Sequence, residues 1–218
     1  MIRAYESVLI AVLCMVGSAL GATKAWNFDD IAVGATPAGW ESGSINKTGQ
    51  LATFEVVTDA TAPEAAADNK VLTVKFAPET VYEDCHAIWN KEISFTDGTI
   101  EIDSKAVASD GYFGGIAFRI QDKDSYYAIR CGIRRSDIQL FKILDGTRTT
   151  IGYATATAFS VNTWYHIKIV VNGTNITVSV DGTQLLTTTD DSVTGSGGIG
   201  LFQRANKIAF WDNFSVSD

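Results

Sequence analysis

WYHIKIVVNGTNITVSVDGTQLL, residues 164–186, decides the fold. Tyr165, Ile167, Ile169 and Val171 alternate with more polar neighbours, and Ile176, Val178 and Val180 repeat the pattern. Asn172-Gly173 and Asp181-Gly182 interrupt it. Alternation with period two, cut by Asn-Gly or Asp-Gly, predicts β-hairpins. The chain continues in the same manner through GGIGLF (197–202) and IAFWDNFSV (208–216).

Working back from there, the same period assigns faces. In 115–120, Ile116, Phe118 and Ile120 are expected on one face, with Ala117 and Arg119 on the other. In 126–134, Tyr127, Ile129, Cys131 and Ile133 form the apolar set, opposed by Tyr126, Ala128, Arg130, Gly132 and Arg134. Ile100 and Ile102 face in, and Glu101 and Asp103 face out. A slip of one residue would reverse every such assignment, so the apolar face pins the register. Helical periodicity is nearly absent, and the alanine-rich 61–70 reads as a loop. About a dozen short strands packed as two sheets predict an all-β, antiparallel jelly-roll β-sandwich in a single domain over 23–218.

Ahead of it, residues 1–22 read as a secretory signal peptide. Arg3 precedes an apolar run over 8–16, and Gly17, Ser18, Ala19, Gly21 and Ala22 supply small residues for cleavage. The run is too short for a membrane span, which needs about 20 residues. Leu13 before Cys14 argues against a lipid anchor. The expectation is an exported protein without a membrane span.

The net charge of −8 argues against nucleic acid as a partner, because phosphate binding needs a basic surface. One segment runs the other way: between Arg119 and Arg148, seven basic residues face four acidic ones. Two cysteines follow the signal segment, Cys85 and Cys131. In an oxidising compartment they can form a disulfide, or both can stay buried thiols.

Taken in order, FDDIAVGATPAGW (28–40), DGTIEID (97–103), GGIAFRIQDKDSYYAIR (114–130), LFKILDGTR (140–148), 164–182 and the closing strands resemble the concanavalin A-like lectin/glucanase superfamily. They are most similar to its secreted 3-keto-disaccharide hydrolase-like and laminin-G-like branch. The resemblance implies a fold that binds or cleaves carbohydrate, usually on a concave sheet.

Glu101-Ile102-Asp103 resembles the start of the catalytic strand of laminarinase-type hydrolases, but the acid/base position falls on Lys105 or Ala106. Neither can serve as the second carboxyl group of a retaining pair. His166 reads as a solvated strand histidine beside Lys168. His86, in CHAIWN beside Trp89, is the one candidate acid, base or metal ligand. No serine elbow, phosphate loop or zinc-spaced cysteine set occurs, and Gly195–Gly200 is a turn before a strand.

The expected ligand surface is the outward set Trp89, Arg119, Tyr126, Arg130 and Arg134. Aromatic rings stack on sugar C–H faces, and arginine forks suit hydroxyls or the carboxylates of an acidic polysaccharide. Asp212 shares parity with Ile208, Phe210, Phe214 and Val216, so it is expected to face inward unless a β-bulge turns it out. The resemblance implies neighbouring terminal strands with a structural calcium, for which Asp29 or Asp30 would join Asp212. Asn46, Asn172, Asn175 and Asn213 head glycosylation sequons. The sequence thus points first to a carbohydrate-binding domain without covalent chemistry. A glycan-cleaving enzyme is the second reading, and a laminin-G-like adhesion module with a protein partner the third.

Overall fold

A computed structural model describes residues 23–46, 51–63, 69–76, 85–107, 112–155, 158–204 and 208–218. Residues 1–22, expected to be a signal peptide, lie outside the described residues. The strands are β1 (Lys24–Trp26), β2 (Trp40–Ser44), β3 (Thr53–Thr58), β4 (Lys70–Phe76), β5 (Cys85–Phe95), β6 (Gly98–Ala106), β7 (Tyr112–Asp122) and β8 (Ser125–Gly132). They continue as β9 (Asp137–Leu144), β10 (Thr147–Thr155), β11 (Trp164–Asn172), β12 (Asn175–Val180), β13 (Thr183–Thr189), β14 (Gly197–Arg204) and β15 (Ala209–Ser217). No helix occurs among the described residues.

Two antiparallel sheets result. The first runs β13-β12-β11-β6-β15-β4-β3, with β1 also paired to β15; the second runs β10-β9-β8-β7-β14-β5-β2. The predicted hairpins are present. Asp145-Gly146 and Asp181-Gly182 both take positive φ at each residue, the conformation of a two-residue turn whose twist matches the flanking strands. Asn172 pairs with Asn175 around Gly173, whose φ is 60°.

The core lies between the sheets. Ile100, Ile102, Ile167, Ile169, Ile176, Val178 and Trp211 of the first sheet meet Phe113, Ile116, Phe118, Tyr127, Ile129, Leu140 and Leu201 of the second. The alternation seen in sequence is the alternation of this layer with the two outer faces.

Of the register shifts in the two sheets, the ones on β7 and β15 bear on the expected site residues. On β7 the register shifts between Phe118 and Asp122, and Arg119 has φ 49°. Beyond it Ile120 joins Trp89 and Tyr126 in the outer cluster of the second sheet instead of the core. On β15 the register shifts between Asp212 and Ser215, and Asn213 has φ 49°. Ala209 and Trp211 therefore fill the core before the bulge, and Phe214 and Val216 after it. Ile208 is exposed and Phe210 only partly buried, which corrects the inward assignment of both. Asp212 faces outward, opposite Asp103.

Candidate functional site

The expected surface on the second sheet is present in part, and it is packed. Trp89 and Tyr126 lie together with Phe141 and Phe202 in an outer cluster. Tyr126 is only 1% exposed and Arg130 2%. Arg130 makes a two-pronged ion pair with buried Asp137, at 3.0 and 3.2 Å, and stacks 4.2 Å from the Tyr112 ring. Its two terminal nitrogens serve the fold. Burial pushes the Tyr126 hydroxyl well above its ordinary range, with nearby Cys85 and Asp124 adding to the effect. Arg134 lies in the β8–β9 turn, exposed and off the sheet.

Arg119 leaves this surface altogether. Its guanidinium donates to the carbonyls of Thr96 (2.8 Å), Val193 (3.1 Å) and Gly173 (2.7 Å) and to Asp97 Oδ1 (3.1 Å). It ties the β5–β6 turn to the β11–β12 turn and is 1% exposed. The left-handed backbone at the bulge re-aims its side chain.

The remaining expectations are placed as follows. His86 is fully buried, with Nδ1 2.7 Å from Ser44 Oγ, and reaches neither outer face. Cys85 belongs to the outer cluster of the second sheet and Cys131 to the core between the sheets. They face opposite sides of one sheet, so no disulfide joins them. Burial pushes the Cys131 thiol far up, the behaviour of a small hydrophobe.

The expected calcium ligands, Asp29 or Asp30 with Asp212, adjoin or belong to the terminal strands. The terminal strands are neighbours, with Trp26 opposite Phe214. However, Asp29 is engaged by Asn27 Nδ2 and the Lys70 backbone, and the bulge has turned Asp212 to the outer face. Among the described residues no group of three or more His, Cys, Asp or Glu side chains could hold a metal ion.

A different constellation emerges on the outer face of the first sheet. Three adjacent strands, β11, β6 and β15, put nine residues in a grid. Trp164, Lys105 and Phe210 are directly opposite one another in the first row. His166, Asp103 and Asp212 form the second, and Lys168, Glu101 and Ser215 the third. Strands lie about 4.8 Å apart and same-face residues about 6.8 Å apart along a strand, so the grid spans about 10 by 14 Å.

Lys105 is 4% exposed and sits between two rings, its Nζ 5.0 Å from the centroids of both Trp164 and Phe210. Its ammonium pairs with Asp59 and donates to Thr61 Oγ1 at 2.7 Å. Trp164 Nε1 donates to the same hydroxyl at 3.3 Å. Burial alone would raise the Asp59 carboxyl, but hydrogen bonds from Lys105 and Thr61 outweigh it and hold it below its usual value. Trp164 and Phe210 keep part of their surface open.

In the second row His166 Nδ1 lies 2.8 Å from Asp103 Oδ1. An ionised carboxylate only accepts hydrogen bonds, so Nδ1 is the donor in this pair. The ring is 44% exposed, and Nε2 is 3.6 Å from Glu101 Oε1. Asp103 Oδ2 accepts from Asn213 Nδ2 at 2.8 Å, which engages that sequon amide inside the site. Lys168 pairs with Glu101 at 3.1 Å. The arrangement can exchange a proton at His166 and seat an apolar ring face against Trp164 or Phe210, with the Lys105 ammonium held one row away by Asp59 and Thr61. The sequence had shown Glu101 and Asp103 facing out, but it did not show that Trp164 and His166 would register against Lys105 and Asp103.

Over residues 23–217 the chain matches the family described as a 3-keto-alpha-glucoside-1,2-lyase-like domain. It is similar in structure to the carbohydrate-binding module CBM66 from Bacillus subtilis, with a TM-score of 0.60 at 19% identity, covering 82% of this chain and 96% of that one. It is also similar to the Bacillus licheniformis β-glucanase, with a TM-score of 0.57 at 11% identity, covering 91% of this chain and 99% of that one. A Bacillus subtilis protein of unknown function with a galectin-like fold gives a TM-score of 0.57 at 16% identity, covering 82% and 88%. These likenesses bear out the concanavalin A-like jelly roll. No curated protein matches the sequence.

Proposed function

The chain belongs to the 3-keto-alpha-glucoside-1,2-lyase-like domain family, and from that premise we propose that it acts on a 3-keto-α-glucoside by base-initiated elimination at the outer face of the first sheet. A ketone at C3 makes the C2 hydrogen acidic, because the charge left on C2 spreads onto the C3 oxygen. Elimination then needs a base at C2, positive charge near that oxygen and a surface that orients the ring. His166 Nε2 takes the C2 proton, the C1–oxygen bond breaks, and the C1–C2 double bond forms. The departing alkoxide recovers a proton from the imidazolium. Lys105, oriented by its ion pair with Asp59, adds a fixed dipole within a row of His166, part of the preorganised polar field that stabilises such transition states. Trp164 and Phe210 supply the stacking surface.

The carrying observation is the Asp103–His166 pair, at 2.8 Å on the same face as Lys105, Trp164 and Phe210. It supports a base whose second nitrogen, Nε2, sits on a half-exposed ring beside Glu101. Export ahead of this chemistry follows from the reading of residues 1–22.

A second reading is carbohydrate recognition without turnover. It is favoured by the partly open aromatic pair and by the likeness to CBM66 over 96% of that module.

The test is incubation with a 3-keto-α-glucoside in deuterated buffer. Loss of substrate with release of the alcohol, abolished in His166→Ala, is expected. Binding without substrate loss or deuterium uptake at C2 would leave the recognition reading in its place. In either case Trp164→Ala should weaken binding between about twofold and tenfold, the range of one aromatic stacking contact.

A further inference from the structure

We propose that Asn213 is a positioning residue that selects the proton-accepting tautomer of His166. The inference rests on the reading of His166 as a base and adds how the protein decides which of its two nitrogens is free.

His166 lies between two carboxylates. Asp103 Oδ1 is 2.8 Å from Nδ1, and Glu101 Oε1 is 3.6 Å from Nε2. A neutral imidazole has one N–H to donate. If it is donated to Asp103, Nε2 is a base. If it is donated to Glu101, Nε2 is blocked and the lone pair turns toward a carboxylate. The choice depends on which carboxylate holds the better geometry.

Asn213 favours Asp103. Its Nδ2 donates to Asp103 Oδ2 at 2.8 Å, on the oxygen His166 does not use. The carboxylate is thereby clamped from both sides. Glu101 has no comparable clamp, since its partner is Lys168, itself 44% exposed.

The clamp depends on the bulge. Asn213 has φ 49°, and in a regular strand residue 213 would alternate away from Asp212. With the bulge, Asp212 faces outward opposite Asp103 while the Asn213 amide also reaches Asp103. Asp212 Oδ1 accepts the Asn213 backbone N–H at 2.8 Å and fixes the turn. Glycine adopts this backbone at no steric cost, so the bulge by itself does not require asparagine. What asparagine adds is the donor to Asp103. Strained backbone held at a site by surrounding contacts is a recurring device for such pre-organisation.

The Asn213→Gly variant keeps the backbone and removes the donor. Nitrogen-15 NMR of the imidazole reads the tautomer directly. In the wild type the proton should sit on Nδ1. In Asn213→Gly a measurable Nε2–H population should appear, and Glu101→Ala in that background should remove it. On a 3-keto-α-glucoside, kcat should fall on the order of tenfold with KM unchanged, in the range seen when an outer partner of a functional histidine is lost. An unchanged tautomer in Asn213→Gly, at an unchanged melting temperature, would overturn the inference whatever the activity. Absence of turnover in the wild type would count against the lyase reading alone, because the NMR result stands without it. Asn213→Ala, which also lacks the donor, repeats the measurement if the glycine variant fails to fold.

Discussion

Replacing Arg130 by alanine separates a ligand residue from a structural one. By sequence, Arg130 belongs to an outward sugar-binding set. In the structure its guanidinium is consumed by Asp137, whose side chain is 1% exposed, and by stacking on Tyr112. Removing it leaves a carboxylate with Gln139 Nε2, at 3.0 Å, as a remaining donor. Breaking one partner out of a buried pair costs about 3–5 kcal/mol, because the other charge stays desolvated. For a domain of this size each kcal/mol moves the melting temperature by about 2–4 °C, so Arg130→Ala should lower it by roughly 6–20 °C. Replacing both partners with apolar residues, Arg130→Met with Asp137→Leu, should recover most of that loss. Urea titration followed by tryptophan fluorescence gives the free energies. Sugar affinity of the folded fraction gives the other half of the comparison and should be unchanged in Arg130→Ala. A variant with wild-type stability and lost sugar affinity would refute the structural assignment and restore Arg130 to the ligand surface.

Two further outcomes follow from named contacts. Arg119→Ala removes the donor to three carbonyls and Asp97 and should cost about 2–4 kcal/mol in urea titration; Arg119→Lys should recover little, since an ammonium cannot serve a fork of four acceptors. Asp190 sets an acid-stability limb. Burial alone would raise its carboxyl, but hydrogen bonds from Tyr127, Ser192 and Lys142 outweigh that and hold it at about 2. A carboxyl depressed in the folded state contributes stability that is present above its unfolded value near 4 and is lost as pH falls through about 2. Asp190→Asn should therefore lower stability at pH 7 and flatten its decline between roughly pH 4 and pH 2, as followed by melts across that range.

The same bond network raises Tyr127 to about 12, with burial the largest cause and the Asp190 hydrogen bond next. None of it is visible in the chain order. Tyr127 and Asp190 are 63 residues apart, and only the packing of β8 against the loop after β13 brings them to 2.6 Å.

The sequence by itself determined the class of fold and most of the core. Period-two alternation has one geometric meaning in an extended chain, and the Asp-Gly turns require the positive φ they adopt. It also determined that Glu101 and Asp103 face out, because Ile100 and Ile102 must face in. For the expected site residues, tertiary structure decided the outcome chiefly at two positions. Arg119 and Asn213 each take a left-handed backbone that shifts the parity of everything beyond them. The first shift removes an arginine from the predicted ligand face, and the second turns Asp212 out and sets an amide against Asp103. No local signal marks the bulge at Arg119, and the one at Asn213 is marked only by asparagine's tolerance of the left-handed region. Nor does alternation say which strand lies beside which. That Trp164 meets Lys105 and His166 meets Asp103 is a fact of register across some sixty residues of chain, and register is set by the burial of the opposite face, not by the residues that make the site.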